Sequence, residues 1–159
     1  MNLGDVLLWG FVATALLTTL LAGGQAFGLT RMSIPYLLGT LFTPARDRAV
    51  LIGHVAHVIF GWLFALLYAA GFERLGTATV WIGMAGGLVH ALVVLAVMLP
   101  LLPGLHPRMV SEAYGPTPNA QIQPPGIFGL HYGRRTPIAT IVAHVAYGAV
   151  LGGLYRIVG

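Results

Sequence analysis

The 159-residue chain contains no cysteine and no lysine, and its only acidic residues are Asp5, Asp47, Glu73 and Glu112. Without cysteine there is no disulfide, iron–sulfur cluster or thiolate metal site, and nothing marks the redox compartment. Charged residues make up 8% of the chain, against about 25% in soluble domains, too few to cover a water-facing surface. The acidic residues fall at or outside the ends of the apolar runs, which excludes carboxylate-dominated centres, di-iron sites included, from within the spans. A paired-carboxylate site, a nucleophile elbow, an HExxH motif and a phosphate-cradling glycine loop are all missing, so an enzyme has little support.

Long apolar runs are abundant. Hydrophobic residues are 57% of the sequence, and four runs, at about 4–27, 49–72, 79–102 and 137–158, approach the roughly 20 residues of a bilayer-crossing helix. The spacing predicts an all-α membrane protein, a single membrane domain over 1–159. The leader Met1-Asn2-Leu3-Gly4-Asp5 is acidic, and the run behind it exceeds the about 7–15 residues of a signal-peptide core, so the first run is expected as a retained helix. The short link 73–78 predicts antiparallel neighbours on either side of it. Pro100 is expected to end the third span early.

All eight basic residues are arginine. Arg31, Arg46, Arg48, Arg108, Arg134 and Arg135 lie on the side of loops one and three, and Arg74 and Arg156 on the other. Positive-inside bias then predicts loops 28–48 and 103–136 in the cytoplasm and both termini outside, as in a bacterial cytoplasmic membrane. No arginine run or groove-binding motif exists, so nucleic acid is set aside as a partner. Residues 103–136 hold six of the ten prolines. Pro116-Thr117-Pro118 and Pro124-Pro125 forbid a continuous helix there, and Gly126-Ile127-Phe128-Gly129-Leu130-His131-Tyr132 is expected at the interface or folded back on the bundle. His106 and His131 are expected to be solvated or interfacial.

One motif occurs twice. Val142-Ala143-His144-Val145-Ala146-Tyr147-Gly148, with Leu154-Tyr155 beyond it, follows Val55-Ala56-His57-Val58-Ile59-Phe60-Gly61 and Leu67-Tyr68 at a constant offset of 87 positions. Arg48 and Arg135 each precede the histidine by nine residues. The chain therefore reads as two parallel-related two-helix repeats, about 1–72 and 79–159, about an axis along the membrane normal. Gly53, His57, Gly61 and Ala65 share one helix face, as do Thr140, His144, Gly148 and Gly152. With Gly83, Gly86 and Gly87 they form small-residue stripes suited to close helix packing.

His54, His57, His90 and His144 are expected in one layer inside the membrane, where ionisable side chains are scarce and face the bundle interior. Two readings stand side by side. In the first, neutral imidazoles hydrogen-bond across helices to carbonyls or tyrosines, and no cofactor is present. In the second they hold a cofactor: haem b ligated by His57 and His144, or a copper or zinc ion held by imidazoles alone, with His90 or His54 nearby.

The glycine-rich span ending in Met98-Leu99-Pro100, the Gly126–Leu130 stretch and the final run His144–Tyr155 resemble a family of small, uncharacterised bacterial four-helix membrane proteins. The resemblance implies the four-span fold and carries no activity. Function then reads first as an accessory or structural subunit, or a homo-oligomer, in contact with the lipid bilayer and other membrane subunits. This is motivated by small-residue stripes in excess of what one bundle needs. A haem- or metal-binding redox protein is the alternative, and a small-solute or proton pathway the third.

Overall fold

A computed structural model describes residues 1–111, 119 and 122–158. Glu112 and the Pro116-Thr117-Pro118 break lie outside the described residues. Among those described, α1 (Leu3–Ala26), α2 (Ile34–Gly39), α3 (Arg46–Leu75), α4 (Val80–Val93), α5 (Leu99–Leu105) and α6 (Thr136–Leu154) follow in chain order. A π-turn over Val94–Met98 joins α4 to α5, so that Val80–Leu105 is one rod. Among the described residues, four helices are long and apolar enough to cross a membrane: α1, α3, the α4–α5 rod and α6. The chain is a small, polytopic, all-α membrane protein.

Local chemistry sets the helix ends. Asn2 caps α1 by accepting from the Asp5 amide at 3.2 Å, and Thr79 caps α4 through the Ile82 amide at 3.3 Å; each satisfies a backbone donor that the helix itself cannot. Ser33 does the same for α2, with Pro35 in the first turn. Gly76 closes α3 in the left-handed region, φ +67°, where a Cβ is disfavoured. The helix α3 is 30 residues long, so Arg46, Asp47 and Arg48 extend it beyond the apolar run.

Pro100 does not end the third span. It lacks the N–H that would serve the carbonyl of residue 96, and its ring crowds that carbonyl. The rod widens by one residue just before it, with the Leu99 amide bonded to the Val94 carbonyl five residues back, and then continues to Leu105.

Packing follows the small residues. The buried positions of α3 are Ala49, Gly53, His57, Gly61, Ala65, Ala69 and Phe72, one turn apart almost throughout. The helix α1 packs on both α3 and α6, and α4 packs along α6. A Cβ on Gly83 would run into the Gly148 carbonyl, one on Gly87 into the His144 carbonyl, and one on Gly152 into the Thr79 carbonyl. Only glycine permits that approach. The short α2 lies against α3 in the same way, Gly39 on the Ala49 carbonyl and Gly53 on the Pro35 carbonyl. The stripes are thus filled inside the chain, and their apparent excess carries no argument for a partner.

The helices α3 and α4 are neighbours without close backbone packing. Side chains bridge them, with Phe64 stacked on His90 at a centroid separation of 3.9 Å and the Tyr68 ring against Gly86.

Each end of the bundle is tied separately. At one end both termini meet the end of α3: the Tyr155 hydroxyl donates to Glu73 at 2.5 Å and accepts from the Asn2 amide at 3.0 Å. The Arg156 amide donates to Asp5 at 2.9 Å, with its guanidinium Nε 3.4 Å from the same carboxylate. Glu73 pairs with the amino group of Met1 at 3.3 Å.

At the other end loops one and three are sewn together. The Arg31 amide donates to the Tyr132 carbonyl at 2.7 Å, its guanidinium donates to the His131 carbonyl, and the hydroxyls of Thr30 and Thr136 are 2.8 Å apart. A 3-10 segment, Ile127–Tyr132, folds back on α5 and α6. His106, expected to be solvated or interfacial, is instead buried, at 4% exposure. Its Nδ1 accepts from the Arg108 amide at 3.1 Å, which leaves Nε2–H to donate to the Leu37 carbonyl at 3.0 Å.

Candidate functional site

The widened seam between α3 and the α4–α5 rod contains a cavity of about 310 Å³, within the range of small-ligand sites. Its wall is mostly apolar, with Leu37 and Leu38 of α2 closing it on the loop side and Val94 and Met98 of the π-turn lining the rod. Phe60, Met98, Leu101 and Leu105 border it and are themselves exposed. Those residues lie within the candidate membrane spans. On the other side of the Phe64–His90 stack is a second apolar recess of about 400 Å³, lined by Tyr68, Phe72 and Val89 among others.

Three of the four histidines on the candidate spans meet at the first cavity. His57, His90 and His144 all line it, with Thr14 and Tyr147 as the other polar side chains. The rings of His90 and His144 are edge to face with centroids 4.7 Å apart. His54 is elsewhere: it is exposed on α3 and its Nδ1 is 2.7 Å from the Val50 carbonyl of its own helix.

The hydrogen-bond network assigns two of the tautomers. The Nδ1 of His144 is 2.8 Å from the Thr140 carbonyl. A carbonyl only accepts, so Nδ1 carries the proton. His57 Nδ1 is 3.0 Å from Thr18 Oγ1, and that hydroxyl already donates to the Thr14 carbonyl at 2.7 Å. Its proton is committed, so His57 Nδ1–H is again the donor. In the neutral imidazole each ring is left with a lone pair on Nε2, directed away from the anchored side. Fixing one nitrogen to set the role of the other is how proteins orient metal-ligating or proton-accepting histidines.

The remaining polar groups are spent or enclosed. Thr14 donates to the Gly10 carbonyl at 2.7 Å, and Tyr147 donates to the Gly61 carbonyl at 2.6 Å. His90 Nδ1 and the Tyr68 hydroxyl are buried with no hydrogen-bond partner among the described residues. Sequence reading had singled out the histidines and Thr140. It missed Thr18, whose only signal is its place one turn beyond Thr14, and Phe64, which nothing in the sequence distinguishes from other apolar positions.

Metal and haem chemistry place demands on this geometry. Among the described residues no three of His, Asp or Glu are placed to hold a metal ion. A bis-imidazole haem needs two ring nitrogens facing each other across the macrocycle. The His90–His144 contact leaves no such gap; His57 and His144, each anchored through Nδ1, are the residues that would hold the iron through Nε2.

No family profile, curated protein or solved structure matches the chain. The likeness to small four-span membrane proteins therefore rests on architecture, four long apolar helices.

Proposed function

We propose that this protein is a non-catalytic, bilayer-embedded binding protein that holds a lipid-soluble small molecule in the cavity between α3 and the α4–α5 rod. The observation that carries this reading is the cavity itself: about 310 Å³, with imidazoles in a wall otherwise almost wholly apolar. Packed membrane helices do not need such a gap, and an intramembrane ionisable group is a functional-site hypothesis by default. Native mass spectrometry of protein released from mild detergent tests it. An apolar adduct is expected on the native chain and is expected to be lost when Leu102→Trp fills the cavity. Absence of any adduct from the native chain would remove the reading.

A second reading is haem b held by His57 and His144, favoured by the matching Nδ1 anchors on the two rings. When bound, haem would supply one-electron chemistry. Protein purified from cells fed a haem precursor would then show a Soret band that disappears in His57→Ala and in His144→Ala alike. Colourless native protein would exclude it. Membership of a larger assembly, self-association, or a path for protons or small solutes along the histidines would each have to rest on surfaces other than the filled glycine stripes.

The same proposal places loops one and three in the cytoplasm and both termini outside a bacterial cytoplasmic membrane, because six of the eight arginines belong to the loop side. It also treats the two halves as copies of one unit. The repeat-related positions His57 and His144 line one cavity, although α1 packs on α6 while the corresponding pair, α4 and α3, lacks that backbone packing.

A further inference from the structure

We infer that the cavity selects a molecule with an aromatic head bearing a hydroxyl donor, the chemistry of an alkylphenol or a reduced quinol, with Nε2 of His57 and His144 as its acceptors. The inference rests on the binding reading above and adds the ligand class. Its basis is the count of donors and acceptors at the wall. The hydroxyls that line the cavity cannot donate to a guest, because Thr14 donates to Gly10 and Tyr147 to Gly61. The N–H groups of His57 and His144 are likewise committed, to Thr18 and Thr140. What those four side chains leave for a guest is acceptor capacity, chiefly the two Nε2 lone pairs.

His90 is the exception. Its Nδ1 is enclosed without a partner, and a buried orphan acceptor is tolerated better than a buried orphan N–H, so its proton belongs on Nε2. The site then offers two acceptors and one donor. A guest with only carbonyl or ether oxygens would set lone pairs against lone pairs, whereas an O–H satisfies an imidazole and can accept from His90. Phe60, Phe64 and Tyr147 at the wall suit a flat ring, and the exposed border residues Met98, Leu101 and Leu105 suit an alkyl tail reaching into hydrocarbon. A site that hydrogen-bonds a guest hydroxyl discriminates against the analogue lacking it, because its own polar groups are then left unpaired.

The experiment compares three guests of one chain length on the full protein in mild detergent, by calorimetry: a 4-alkylphenol, its O-methyl ether and the corresponding straight-chain alcohol. The phenol is expected to bind about tenfold tighter than the ether, as one well-made hydrogen bond implies, and tighter than the alcohol. In His57→Leu and His144→Leu the advantage of phenol over ether is expected to shrink towards unity while ether binding persists, which also shows that the variants are folded. Equal binding of phenol and ether by the native chain would overturn the donor requirement and leave the binding reading standing. An alcohol binding as tightly as the phenol would overturn the aromatic class. If none of the three binds, the binding reading falls as well. Comparing reduced and oxidised forms of a short-chain quinone under anaerobic conditions then separates a quinol from a simple phenol: only a quinol site is expected to prefer the reduced form over both its oxidised form and the phenol.

Discussion

The rod Val80–Leu105 has two seams of opposite character. Towards α6 it meets the neighbouring backbone directly, Gly83 against Gly148 and Gly87 against His144. Towards α3 it meets rings, Phe64 on His90 and Tyr68 against Gly86. Both seams have glycine on α4, so glycine alone does not close an interface. What matters is the facing residue: a second small side chain lets two backbones meet, while an aromatic ring fills the space that a glycine leaves. The closed seam supplies packing, and the propped seam leaves the two recesses. In lipid the hydrophobic effect does not drive helices together, so such shape matching decides which seams close.

Neighbouring glycines provide the sharpest test of this contrast. Gly83→Ala and Gly87→Ala each force a methyl against backbone that cannot swing aside, and each is expected to cost about 3 kcal/mol or more, at or beyond the usual range for overpacking. Thermal or denaturant unfolding in mild detergent would measure it. Losses below about 1 kcal/mol would mean that the α4–α6 seam is looser than its geometry implies.

Tyr147→Phe comes next. It removes the 2.6 Å bond from α6 to the Gly61 carbonyl of α3 and is expected to cost about 1 kcal/mol, typical of a hydrogen bond between membrane helices. A double-mutant cycle with Phe64→Leu would show whether that bond and the Phe64 prop together fix the width of the seam. Strictly additive losses would mean that they act independently.

Acid should act on the cap over the cavity and leave the closed seam alone. Burial holds His106 below its ordinary value, its backbone bond to Leu37 opposes that in part, and the Arg108 charge adds to the lowering. The unfolded chain therefore binds a proton here before the folded one does. Stability from the neutral ring is complete above about pH 6.5, the unfolded value, and is lost as pH falls through the lower folded value. A proton on Nδ1 would also face the Arg108 amide that it now accepts from. Hydrogen exchange at the Arg108 amide, corrected for intrinsic rate, is expected to quicken between pH 7.5 and 5 in the native chain. In His106→Gln the corrected rate should show no such step. Unchanged protection across that range would refute the link between His106 protonation and this hydrogen bond.

The smallest effect is expected one residue from the largest. Gly86→Ala meets only the Tyr68 ring, which can turn into the adjacent recess, and alanine favours the helix by up to about 1 kcal/mol. Its stability should stay within about 1 kcal/mol of the native chain in the same unfolding assay. A loss comparable to that of Gly87→Ala would break the comparison between the seams.

The sequence by itself determined the class of the protein and much of its local structure. Apolar run length and the scarcity of charge require bilayer-crossing helices, because an unpaired backbone group in hydrocarbon is too costly for most other folds. Asn2, Ser33, Thr79 and Gly76 mark helix ends by chemistry that needs no tertiary contact, and four-residue spacing alone puts His57 on the Gly53–Gly61 face. Tertiary structure decided the rest. A repeat of small residues states that a face can pack closely, but it does not state which helix will meet it, so the filled stripes and the open α3–α4 seam were not legible. His106 looked like a loop residue because burial there depends on Leu37 and Arg108, far away or irregular in the chain. The acceptor character of the cavity was hidden for the same reason: it depends on where Thr18, Thr140, Gly10 and Gly61 take up the protons of their neighbours, and only the folded chain fixes those pairings.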